Sequence, residues 1–99
     1  MPVFFLQYEA TPRKGSIDDQ EGIAGAHVNC WVLRATLEEA KEVAVKWIVN
    51  AGYVVDDPDE AHEAVEGGAR SKEAEEYYQQ ALIDGEVFIF YTYPVEEDR

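Results

Sequence analysis

Basic residues are scarce. Eight Lys and Arg stand against 21 Asp and Glu in 99 residues, a formal charge of −13. A nucleic-acid interface and an anionic membrane both need clustered Lys and Arg, so neither is expected as a partner. Cysteine is nearly missing too: Cys30 stands alone, which rules out an internal disulfide and a multi-cysteine metal site. Long apolar runs are missing as well. The stretch Val87 to Val95 falls far short of the roughly 20 residues that span a bilayer. No basic stretch precedes the apolar Val3–Leu6, and no small-residue cleavage site follows it. The expectation is no signal peptide and a reducing cytoplasm. Glycine spacing supplies no phosphate loop, no dinucleotide fingerprint and no Gly-x-Ser-x-Gly elbow, so no cofactor is expected.

What remains is globular arithmetic. Apolar residues make up 46% and charged residues 29%, enough for a single domain over residues 1–99 with one modest core. The acid excess is expected to serve solubility or a salty surrounding, with a basic protein partner as the alternative.

Val3 to Glu9 alternates as a first strand. Residues 11–24 hold Pro12, Gly15, Ser16, Asp18, Asp19 and Gly22 and read as a long loop. Gly25 to Ala35 is apolar enough for a strand buried on much of both faces. Thr36-Leu37-Glu38-Glu39 forms a capping box, in which the Thr36 hydroxyl takes the Glu39 amide and the Glu39 carboxylate reaches back. Leu37, Ala40, Val43, Ala44, Trp47, Ile48 and Ala51 then recur at helical spacing, and Gly52 suits a left-handed end.

Tyr53-Val54-Val55 reads as a short third strand. The acidic segment 56–70 stays open between a helical turn or two from Pro58 to Val65 and a kinked extension of the strand, with Gly67-Gly68 ending either. Ser71 caps a second helix with Ala74, Tyr77, Tyr78, Ala81 and Leu82 on one face, stopped by Asp84-Gly85. Val87 to Tyr93 is the last strand, Pro94 ends it, and the tail Glu96–Arg99 is expected to fray. The order is β-β-α-β-α-β. It predicts an α/β (α+β) two-layer sandwich, a four-stranded mixed sheet with two helices on one face.

That arrangement leaves a sheet face over. Alternation puts Phe4, Leu6, Tyr8, Val28, Cys30, Val32, Val87, Ile89 and Tyr91 under the helices. The opposite set is Phe5, Gln7, Glu9, His27, Asn29, Trp31, Leu33, Phe88, Phe90 and Thr92. Leaving its aromatics wet would forfeit about 1.5–3 kcal/mol each, so a patch of this kind marks an interface or a pocket. Self-association through Phe5, Gln7, Glu9, His27, Asn29, Trp31, Phe88 and Phe90 is the leading expectation. A ligand groove on those residues is the second, and cover by segment 11–24 or 56–70 within one chain is the third.

Catalytic constellations are weak. Cys30, His27 and Asn29 match the residue types of a thiol protease, but in a strand His27 and Asn29 point away from Cys30, which reads as a small buried hydrophobe. His27, Asn29 and Trp31 share a face, and with Glu9 or Gln7 they would make a polar centre in an aromatic surround. Their simpler role is inside a dimer seam. His62-Glu63-Ala64-Val65-Glu66 has Glu66 where a zinc-protease helix needs its second histidine. If 58–66 were helical, Asp59, His62, Glu63 and Glu66 would line one stripe, better read as a solvated acidic face than as a metal site. No metal and no catalytic residue is assigned. The acids from Asp56 to Glu66 would steer a basic protein, as an immunity or mimic protein does.

The phrase Gly25-Ala26-His27-Val28-Asn29-Cys30-Trp31, then Gly52-Tyr53-Val54-Val55, Asp84-Gly85-Glu86-Val87-Phe88 and Tyr93-Pro94, resembles a group of small bacterial cytoplasmic proteins of unknown function. The resemblance implies a bacterial cytoplasmic origin and carries over no site residue. The expectation is a binding domain rather than an enzyme, a homodimer formed through the aromatic face. A small-molecule pocket around His27, Asn29, Trp31 and Glu9 is the alternative.

Overall fold

Two long strands, β1 (Val3–Pro12) and β2 (Ile23–Leu33), pair antiparallel at the centre of the sheet, with Phe5 opposite Trp31 and Leu6 opposite Cys30. The computed structural model describes residues 1–65 and 70–95; Glu66, the Gly67-Gly68 stop and the tail Glu96–Arg99 lie outside the described residues. A one-turn helix α1 (Ile17–Gln20) follows β1, its end capped by the Ser16 hydroxyl on the Asp19 amide. The expected loop is thus shorter, because β1 runs on to Pro12 and β2 starts at Ile23.

Helix α2 (Leu37–Asn50) starts at the predicted Thr36 cap. The Thr36 hydroxyl accepts from the Glu39 amide at 3.2 Å and itself donates to the Glu39 carboxylate at 3.2 Å, so the second half of the box closes on the hydroxyl rather than on the backbone. Gly52 takes φ 95°, as its place after the helix requires. β3 (Tyr53–Val55) and β4 (Glu60–Ala64) then lie end to end along the same side of β1. Residues 56–65 are therefore not helical. The kinked extension is the observed form, and Pro58, without an N–H, falls in the kink. Helix α3 (Lys72–Asp84), capped by Ser71, ends at Gly85 with φ 91°, and β5 (Glu86–Pro94) pairs with β2.

The class read from the sequence, α and β elements with helices packed on a single sheet, is the observed one; four particulars differ. The sheet has five strands, ordered β3-β1-β2-β5 with β4 beside β1. Every neighbouring pair is antiparallel, so the sheet is not mixed. The helices do not share a face. Ala40, Ala44 and Ile48 of α2 pack with Phe4, Leu6, Tyr8, Val28, Cys30 and Val32, whereas Tyr78 and Ala81 of α3 pack with Val3 and Trp31 on the other side.

The fourth particular is the phase of β5. Cys30 pairs with Phe88 and Trp31 with Val87, so Phe88 and Phe90 belong to the α2 face and Val87 and Ile89 to the α3 face. Periodicity alone sorts a strand into two faces without saying which joins the neighbour's core. Both faces of Val87–Tyr93 are apolar or aromatic, so the pattern carries no preference.

Candidate functional site

The face under α3 was the leading candidate from the sequence, and the structure gathers six of its eight residues there. Phe5, Gln7 and Glu9 on β1 stand opposite Trp31, Asn29 and His27 on β2. Phe88 and Phe90 are on the far side. The premise that this face is wet fails at its centre: Trp31 is 4% exposed. α3 supplies the cover. The Tyr77 ring centroid sits 5.0 Å from that of Trp31, which is 5.1 Å from Phe5, which in turn is 5.6 Å from His62 on β4. Neither segment 11–24 nor a partner is needed to dry it.

The polar centre is a set of separate pairs. The Gln7 amide donates to the Asn29 side-chain oxygen at 3.0 Å, so these residues satisfy each other across the strands. His27 Nδ1 lies 3.8 Å from a Glu9 oxygen with both side chains more than half exposed, beyond hydrogen-bond reach. The His27 ring instead lies 5.4 Å from that of Tyr93. Cys30 points to the opposite face, fully buried, and burial pushes its thiol up to about 12. A thiolate paired to His27 is excluded by that geometry. Glu73 on α3 gathers two phenols, accepting from Tyr91 at 2.8 Å and from Tyr77 at 3.2 Å. The hydrogen bond to Glu73, ahead of burial, pushes Tyr91 up to about 12.

The metal stripe does not form. In extended β4 the side chains of His62 and Glu63 leave on opposite faces, Phe5 pairing with His62 and Phe4 with Glu63. His62 Nε2 meets the Glu60 carboxylate at 2.6 Å, the (i, i+2) neighbour on its own face. Among the described residues no group of His, Cys, Asp and Glu is placed to hold a metal ion.

Concavities open on both faces of the sheet. One of about 370 Å³ lies beside Trp31, bounded by Phe5, His62, Glu63 and Arg70. Arg70 is held by Glu75 at 2.7 Å and stands 4.3 Å over the Tyr78 ring. Sequence reasoning missed His62 and Arg70 here. The available signal was the period-two alternation Glu60, His62, Ala64, which puts the imidazole on the Phe5 side once 60–64 is read as a strand.

No protein-family model, curated protein or solved structure matches the chain. The Gly25–Trp31 resemblance therefore assigns no family, and the site rests on its own geometry. Among the described residues no helix is long and apolar enough to cross a membrane.

Proposed function

We propose that the chain is a homodimeric interaction module whose copies join along the outer edge of β5. The single observation behind this reading is that edge. β5 runs nine residues at the end of the sheet order. From Val87 to Val95 the sequence carries no charge, and Pro94 comes only at the strand's last position. Natural edge strands are blunted by lysines, prolines, bulges or shortness, and the body of this one has none of them. Its ladder phase is set by the Leu33 amide, which donates to the Gly85 carbonyl at 2.8 Å. Alternation then turns Val87, Ile89 and Tyr91 toward β2, and it turns the backbone groups of Phe88, Phe90 and Thr92 outward.

Exposed apolar side chains flank the edge on both faces. Trp47, 49% exposed, stacks on Phe88 with centroids 4.9 Å apart, and Tyr91 and Tyr93 are exposed on the reverse. A two-fold axis through this edge would pair these groups and continue the sheet. The interface of this reading is thus the rim of the sheet rather than the covered face over Trp31. On this reading the module works in a reducing cytoplasm, which its lone buried thiol suits.

Sedimentation tests it. The wild type is expected as a dimer that tightens with salt, because screening relieves repulsion between two acidic copies. Thr92→Pro removes one outward donor without touching the ladder to β2, and it should sediment as a folded monomer. A monomeric wild type at high micromolar concentration would overturn the reading.

A second reading rests on the cavity beside Trp31. Its aromatic floor and the Arg70 guanidinium suit a small planar carboxylate. Saturable quenching of Trp31 by benzoate, lost in Arg70→Ala, would support it.

A further inference from the structure

The face opposite Trp31 holds the one buried side-chain oxygen among the described residues that has no hydrogen-bond partner, the hydroxyl of Tyr8. Tyr8 is fully buried, and a buried polar group without a partner costs roughly 1–3 kcal/mol. Its position explains where a partner would come from. In the ladder between β1 and the β3–β4 edge, Ala10 pairs with Val55 and Gln7 with Glu60, so Tyr8 and Glu9 stand opposite the longer stretch Asp56–Asp59. The surplus backbone bows out, and Asp59 rejoins by donating to the Gln7 carbonyl at 2.7 Å. Between that bow and α2 lies a concavity of about 540 Å³, with Tyr8 among the residues lining it.

The walls indicate the ligand. Val45 and Val49, one turn apart on α2, and Pro58 on the bow give apolar surface. The rim carries the carboxylates of Glu38, Glu42, Asp56 and Asp57 against the ammonium groups of Lys41 and Lys46. Lys41 is already drawn to Glu38 at 3.8 Å. The balance is acidic, in a chain that is acidic throughout. Burial above all, with the Asp57 carboxylate adding to it, pushes the Tyr8 phenol up to about 12, so it keeps its proton and offers lone pairs to an incoming N–H.

We propose that this groove binds a primary alkylammonium group, its stem along Val45, Val49 and Pro58 and its head between the Tyr8 hydroxyl and the Asp56–Asp57 carboxylates. The head donates to the orphaned hydroxyl oxygen, whose own proton can turn to an Asp56 or Asp57 carboxylate, and brings a positive charge to the acidic rim. The stem replaces water on the valines. The same chemistry is presented by a free aliphatic amine and by a lysine side chain of a partner protein. The site is on the α2 face and independent of the β5 edge, so it stands or falls apart from dimerisation.

The test titrates the full chain with n-pentylamine, with 1-pentanol as its neutral counterpart, at about 0.5 M salt to screen diffuse attraction to an acidic protein. Binding followed by heat and by the valine and tyrosine NMR signals should be saturable for the amine and absent for the alcohol. Tyr8→Phe should weaken it at least about tenfold while leaving the melting temperature equal or higher, because it deletes an unpartnered hydroxyl. Glu76→Gln, a remote acid on α3, should bind as the wild type does. Nα-acetyl-lysine amide separates the sources: binding like pentylamine points to a lysine side chain, and exclusion beside bound pentylamine points to a free amine. No saturable amine binding, equal binding by Tyr8→Phe, or a lowered melting temperature in that variant would each overturn the proposal. The last result would mean that the hydroxyl already has a partner, such as a trapped water.

Discussion

Trp31 on β2 and Tyr77 on α3 hold their ring centroids 5.0 Å apart with planes inclined by 45°. The chain's own helix, rather than a second copy, therefore dries the centre of the aromatic face. Trp47 is the opposite case: half exposed, its indole N–H donates to Glu86 at 2.5 Å, and Glu86 is held from the other side by Arg34 at 2.7 Å.

In a Trp47→Phe background, emission from Trp31 should be blue-shifted and protected from iodide. It should not change on dilution across the dimer dissociation range, since the cover comes from within the protomer. Trp31→Ala should cost about 3–5 kcal/mol in denaturant unfolding. Red-shifted, quenchable emission from the single tryptophan would contradict the packing of α3.

Cys30 should not react with a thiol reagent in the native protein and should react at once in denaturant, because burial leaves almost no thiolate. Cys30→Ser places a hydroxyl among fully buried Leu6, Val28 and Val32. The expected loss is about 1–3 kcal/mol, read from chemical melts.

His62 titrates above its ordinary value, chiefly because Glu60 accepts a hydrogen bond from the imidazolium, with the Glu63 carbonyl second. A raised pKa in the folded state means that the pair's stabilisation is complete below the unfolded-state value and is lost as pH rises through the folded one. Glu60→Gln should lower the His62 midpoint in an NMR titration and flatten that dependence. The pair is half exposed, so its effect on stability is small.

Gly85 ends α3 at φ 91°. Gly85→Ala forces a side chain into the left-handed region and should cost about 1–2 kcal/mol, seen as a lowered melting temperature with the sheet unchanged.

Local chemistry was legible in the sequence where one residue type answers one backbone need. Thr36, Ser71, Gly52 and Gly85 mark helix ends because hydroxyls accept amide protons and glycine tolerates positive φ. Alternation also separated Cys30 from His27 and Asn29 correctly. It did not fix how strands join, since Val87–Tyr93 is apolar on both sides and suits either phase. Nor did it place α3. Its Tyr78 and Ala81 mark a buried stripe without naming the layer they meet. The segment Asp56–Ala64 looked half helical because Pro58 suits a first helical turn as well as a bow beside a strand. Tyr8 read simply as core, because a lone sequence does not show whether a buried phenol finds an acceptor.

The sheet divides the interior into two dry compartments that rest on different helices. α2 is anchored by Ala40, Ala44 and Ile48, α3 by Tyr78 and Ala81. The layers need not open together. Amide protons of α3 should exchange with solvent through a partial opening that leaves α2 protected. Each such excursion would bare the indole of Trp31, which α3 covers through Tyr77.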